Sequence, residues 1–110
     1  MKKWLYVGGY TDINDNFILK IGSTNNLERR KKEHMKNYQK SKKHQMVGEF
    51  SYYWAIPLSK YSVERYEESI KENFKNLSFG KYVPKDRFAF KKKPKKIIIK
   101  IKKNYTISLD

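Results

Sequence analysis

Apolar positions recur along this chain in two alternating rhythms. From Lys3 to Gly9 the residues Trp4, Leu5, Tyr6 and Val7 suit a pleated, buried strand. Gly8 and Gly9 predict a bulge or the end of that strand. Thr11 to Asn16 is a polar turn rich in Asp and Asn, and Phe17 to Ile21 is the returning strand. The two strands are expected to form a hairpin that brings Tyr6 near Lys20. Gly22 closes the apolar run and can take a backbone conformation that other residues avoid. Asn25 and Glu28 have capping-box spacing, so a helix is expected to open near Asn26 and run to about Gln39. On it Leu27, Arg30, His34 and Tyr38 share one stripe, because residues three and four apart lie on one face.

Lys40 to Gln45 reads as a basic loop. A third strand follows from Met46 to Leu58, where Phe50, Tyr52, Trp54 and Ile56 alternate with Ser51, Tyr53 and Ala55. Pro57 is expected to mark its end. Ser62 is a good N-cap for a second helix, on which Val63, Tyr66, Ile70 and Phe74 form an apolar stripe. Glu67 falls within that stripe, while Glu64, Glu68 and Glu72 fall outside it. A carboxylate on an apolar face costs free energy unless it is paired, hydrogen bonded or bound to metal. Beyond Phe74 the pattern predicts a loop from Leu77 to Pro84, a short strand from Asp86 to Phe90 and a basic segment from Lys91 to Lys96 broken by Pro94. The isoleucines Ile97 to Ile99 and Ile101, with Thr106 to Ser108, suggest a C-terminal hairpin around Lys103-Asn104. No internal repeat is legible.

Composition adds charge to this outline. The 110 residues suffice for one small domain with a modest core. A formal net charge of +15 attracts polyanions, and nucleic acid is the obvious partner. Compositional drift toward Lys, Asn, Ile and Tyr is the alternative source of that charge. With no Cys, disulfides and Cys-based zinc sites are excluded. No apolar run approaches membrane-spanning length and the N-terminus has no signal-peptide pattern, so a soluble intracellular protein without a membrane partner is expected.

The run Lys20-Ile21-Gly22 to His34, with Trp4-Leu5-Tyr6 upstream, resembles the GIY-YIG nuclease family. The family's first tripeptide ends in Tyr, here Tyr6, and its second ends in Gly, here Gly22. Asn26, Leu27 and Arg30 stand where the family has Asn, Leu and a catalytic Arg, and His34 lies one turn beyond. Trp4-Leu5 replaces Gly-Ile. Lys20 replaces the second Tyr, as in a viral and phage branch that writes this tripeptide Lys-Ile-Gly. The family's metal-binding Glu lies on the helix after the third strand, and Ile70 and Phe74 follow Glu67 at the expected offsets.

The resemblance implies an α/β fold with a small three-stranded antiparallel sheet flanked by helices. The nuclease-like domain would span residues 1–90, with 91–110 a basic extension packed on it. It implies DNA phosphodiester hydrolysis with one Mg²⁺ or Mn²⁺ per site, held by Glu67. Tyr6 would orient or deprotonate the attacking water, Lys20 would act as base or neutralise phosphate charge, Arg30 would clamp phosphate, and His34 would shuttle a proton or contact phosphate. The substrate expected is double-stranded DNA. Lys40, Lys42 and Lys43, with Lys91, Lys92 and Lys93, are candidates to extend the nucleic-acid surface. Two other readings stay open: a binding module on the same fold that no longer cleaves, and an interaction protein whose charge is drift. The oligomeric state is left open.

Overall fold

A computed structural model describes residues 2–75, 77 and 87–105 of the chain. The fold is α/β. Its elements are β1 (Lys2–Asp12), β2 (Phe17–Thr24), α1 (Leu27–Gln39), β3 (Met46–Ser59), α2 (Lys60–Lys75), β4 (Arg87–Phe90) and α3 (Lys95–Tyr105). The strands form one antiparallel sheet in the order β3-β1-β2-β4. The short strand expected near Phe88 thus joins the sheet beside β2, making four strands where three were expected.

β1 is central because its side chains are apolar or aromatic on both faces. Leu5 and Val7 join Leu19, Ile21, Ile56 and Leu58 in a core closed by Val63, Ile70 and Phe74 of α2 and by Ile98 and Ile101 of α3. Tyr6 and Tyr10 join Ile18, Phe50 and Ala89 in a second core closed by Tyr38 of α1. Successive residues of a strand face opposite sides, so α1 covers one face of the sheet and α2 and α3 cover the other.

Local departures from the sequence pattern have local causes. β1 does not stop at its glycines. A Cβ on Gly8 would lie 2.5 Å from the Phe50 ring, so the glycine makes room for that ring. The pairing with β3 shifts register there, between Val7 and Gly8 and again between Gly9 and Thr11. Pro57 pairs with Trp4 inside β3 instead of ending it. β3 is an edge strand, where a missing N–H costs no ladder bond on the open side. The N-cap of α1 is Asn26, whose side chain accepts from Arg29 N at 3.0 Å. Asn25 accepts instead from the Arg29 guanidinium. α2 begins at Lys60, so Ser62 lies in its first turn and accepts from the Ser59 hydroxyl at 3.0 Å rather than capping it.

The expected C-terminal hairpin is replaced by α3. Isoleucine favours strands on propensity, but Ile97, Ile98 and Ile101 also make a helical stripe, and burial against the sheet decides between the two. Pro94 precedes the helix and its carbonyl accepts from Ile98 N. Thr106 to Ser108, and all of the expected Leu77–Pro84 loop except Leu77, lie outside the described residues.

Candidate active site

The site is built where β1 and β2 meet beneath α1. Tyr6 and Gly22 are cross-strand partners. Their side-chain positions face α1, and the Tyr6 ring occupies the space that a residue-22 side chain would fill. A Cβ on Gly22 would stand 2.6 Å from the Tyr6 hydroxyl and 2.9 Å from its Cζ. Among the described glycines only Gly48 has positive φ. Gly22 is therefore required for space, not for the unusual backbone conformation expected from the sequence.

The Tyr6 hydroxyl meets His34 Nε2 at 2.6 Å, joining residues 28 positions apart. His34 stacks on Tyr38 one turn later, with ring planes 6° apart. The Arg30 guanidinium interacts with the same Tyr6 hydroxyl and donates to Glu33 at 3.0 Å. Thus the α1 stripe of Arg30, His34 and Tyr38 does face the sheet, and it lands on Tyr6. Lys20 pairs with Gly8, diagonal to Tyr6 on the same face, and is buried. Lys20, Arg30 and His34 line one cleft of about 360 Å³.

The sequence pattern of the GIY-YIG catalytic domain matches residues 2–83. The chain belongs to that family of nuclease domains. Neither a search of curated proteins nor one of solved structures gives a significant match.

Glu67 of this GIY-YIG domain is placed apart from the other four candidates. It lines a second cleft, of about 420 Å³, with Lys3, Ser23, Lys60 and Glu64. Its charge still reaches Tyr6, where it opposes ionisation of the phenol. Lys71, only 5 % exposed, donates to Glu67 at 3.1 Å and to Glu68 at 3.4 Å. The demand for a counter-charge on the apolar stripe is thus already met inside α2, one turn away, by a residue that the i, i+4 rule would have found. Among the described residues no three His, Cys, Asp or Glu side chains converge as a metal chelate. What the GIY-YIG domain does offer is the hard carboxylate of Glu67 in a cleft wall that Glu64 also lines, with the Glu67 side chain 18 % exposed. Such a donor suits a Mg²⁺ that keeps most of its water, and does not suit zinc.

Two lysine groups sit at the other end of the sheet. The Lys40–Gln45 loop is tied to the β1–β2 turn by Ile13 N to Gln45 O at 3.0 Å and by His44 Nδ1 to Asp12 Oδ2 at 2.8 Å. β4 ends there too, with Phe90 beside Phe17. Lys40, Lys42, Lys43, Lys91 and Lys92 are exposed at this end. Lys93 differs: its Nζ lies 3.7 Å over the Tyr53 ring, and burial lowers its pKa.

Electrostatics fix the protonation of the site. Burial pushes the Tyr6 phenol up to about 12, against the pull of Arg30. Burial, then the charges of Arg30, Lys20 and Arg87, hold His34 down at about 3. At neutral pH the pair is a phenol bonded to a neutral imidazole. An unfolded His titrates near 6.5, so the unfolded chain takes up this proton first as pH falls. Stability tied to neutral His34 is complete above about 6.5 and is lost progressively as pH falls toward 3, by at most about 1.4 kcal/mol per pH unit. Thermal melts between pH 7.5 and 4.5 should therefore show a falling Tm, and His34→Gln should flatten that slope. Parallel slopes for the two proteins would mean that another group titrates.

Proposed function

We propose that this chain is a divalent-metal-dependent endonuclease that hydrolyses DNA phosphodiester bonds, with Tyr6, Lys20, Arg30, His34 and Glu67 as its working residues. The observation that carries the reading is the convergence, within a nuclease-family match, of Arg30 and His34 from α1 on the hydroxyl of Tyr6 from β1. Phosphodiester hydrolysis needs an oriented water, neutralisation of phosphate charge and stabilisation of the leaving oxygen.

Arg30 supplies a planar, permanent cation for the scissile phosphate. In the free protein it is shared between Glu33 and the Tyr6 hydroxyl. An arriving phosphate draws Arg30 from these partners, which opens the fully buried Tyr6 hydroxyl toward the cleft. Tyr6, held by neutral His34, then orients the attacking water. Lys20 stands in the same cleft as a second cation beside the phosphate. Glu67, with water, is the residue that would hold Mg²⁺ or Mn²⁺, whose Lewis acidity would stabilise negative charge on the phosphate oxygens.

Supercoiled plasmid incubated with the protein and Mg²⁺ is expected to be nicked or linearised, and EDTA is expected to stop this. Salt-sensitive duplex binding without cleavage under any divalent metal would leave a binding module instead.

The exposed lysines extend the nucleic-acid surface. Changing Lys40, Lys42, Lys43, Lys91 and Lys92 to Gln should weaken binding to any duplex. It should also reduce the slope of log affinity against log salt by about 0.9 for each phosphate that is no longer neutralised. Because all five side chains are exposed, the Tm should hardly move. An unchanged salt slope would show that these lysines are only solvated.

A further inference from the structure

We propose that Arg87 is a second phosphate-binding guanidinium of this site, one that holds a backbone phosphate adjacent to the scissile one. The inference rests on the nuclease reading and adds to it a residue beyond position 83, where the family match ends.

The placement of Arg87 follows from strand pairing. β4 runs antiparallel to β2 with Arg87 opposite Lys20, so both side-chain positions face α1. Phe88 and Phe90, the alternate residues, go to the opposite core. Arg87 lines the same cleft as Lys20, Arg30 and His34. Three cations from three elements, β2, α1 and β4, thus border one cavity.

Its geometry is held from behind. Arg87 Nη1 donates to the Tyr10 hydroxyl at 2.8 Å, and that hydroxyl donates in turn to the His44 carbonyl at 2.8 Å. The guanidinium carbon lies 4.9 Å from the centre of the Tyr38 ring. Tyr10 and Tyr38 are themselves stacked, 4.9 Å apart. A guanidinium carries five donors in a rigid plane, and the Tyr38 ring and the Tyr10 hydroxyl both help to orient that plane for an oxyanion. At 7 % exposure, Arg87 is a costly residue for a position where an apolar side chain could fill the same core. A strand of nucleic acid crossing the cleft would bring successive phosphates, so one guanidinium serves the reacting phosphate and the other its neighbour.

The test uses the full chain carrying Glu67→Gln, with a short labelled DNA duplex in which one phosphate at a time is replaced by a neutral methylphosphonate. With Arg87 present, two adjacent phosphates should be the most sensitive, each losing about tenfold in affinity, with weaker effects where the exposed lysines meet the duplex. Adding Arg87→Gln should weaken binding of the unmodified duplex about tenfold, lower the salt slope by about 0.9, and erase the penalty at one of the two positions only. Arg87→Lys should restore the salt slope without the full affinity, because the ammonium lacks the planar fork. A lowered Tm with the salt slope and the methylphosphonate pattern unchanged would make Arg87 structural and overturn the proposal. So would a single strongly sensitive phosphate with Arg87 present, a result that needs no Arg87 variant to fold. Wild type that neither binds duplex in a salt-sensitive way nor nicks plasmid would instead defeat the nuclease reading itself, and this proposal with it.

Discussion

Glu67→Gln is expected to lower Mg²⁺-dependent cleavage by about three orders of magnitude while leaving the duplex bound as tightly as before or more so. The substitution keeps the side chain's shape and removes its charge. Loss of a single carboxylate donor removes the only proposed protein anchor for the metal, and it also removes one negative charge from the path of the phosphates. The structural cost should be small. Lys71 loses its ion pair at 3.1 Å, but the amide oxygen of the substituted side chain can accept the same hydrogen bond, and Glu68 remains within 3.4 Å. A destabilisation of about 1 kcal/mol is the expected size for weakening one such bond. Glu72→Gln is the control: Glu72 lies on the same helix, exposed and paired with Lys75, and should cleave as wild type. Cleavage assays and thermal melts on the three proteins decide the matter. Wild-type cleavage by Glu67→Gln would sink the assignment of the metal site.

Gly22→Ala is the second large effect, and it comes from adding one carbon. The new Cβ would arrive 2.6 Å from the Tyr6 hydroxyl, and that ring has little room to yield. Tyr6 is fully buried, packs edge-on to Tyr52 at 5.0 Å and is bonded to His34. Overpacking of this kind costs about 1–3 kcal/mol. The displaced hydroxyl also leaves its hydrogen-bonded position, so cleavage should fall about a hundredfold. The two effects are separable. In a Tyr6→Phe background the closest collision is gone, so Gly22→Ala should cost less stability there than in wild type, a coupling that melts of the four proteins will measure. Equal costs in both backgrounds would show that Gly22 is needed for something other than room for the hydroxyl.

Much of this was legible in the residues themselves. The 3.6-residue stripe of Arg30, His34 and Tyr38 is a local signal, and it predicted which side chains share a face. The period of two in β3 did not: the register shift opposite Val7 and Gly8 puts Phe50 and Tyr52 in the core under α1, and Trp54 and Ile56 in the core on the other face. The pairing of β1 with β2 followed from the polar turn between two apolar runs. The errors were local competitions between near-equal signals. Asn25 and Asn26 both fit a cap, and only the backbone path shows Asn26 bonded to Arg29 N. Pro57 ends a central strand but is tolerated at an edge, so its reading depended on a sheet order that no local signal carries.

What the sequence alone determined is the set of groups gathered on the α1 face: Tyr6, Lys20, Arg30 and His34, each placed by the period of its own element. The tertiary structure decided which distant groups they meet. Strand pairing puts Arg87 opposite Lys20, far along the chain, and no local period encodes that register. Burial against the sheet turns an isoleucine run with strand propensity into α3. Lys71 answers Glu67 within the helix, while the second cleft sets Glu67 apart from the arginines. Periodicity fixes the direction of a side chain relative to its own backbone, whereas cleft, partner and charge environment depend on packing between elements far apart in the chain.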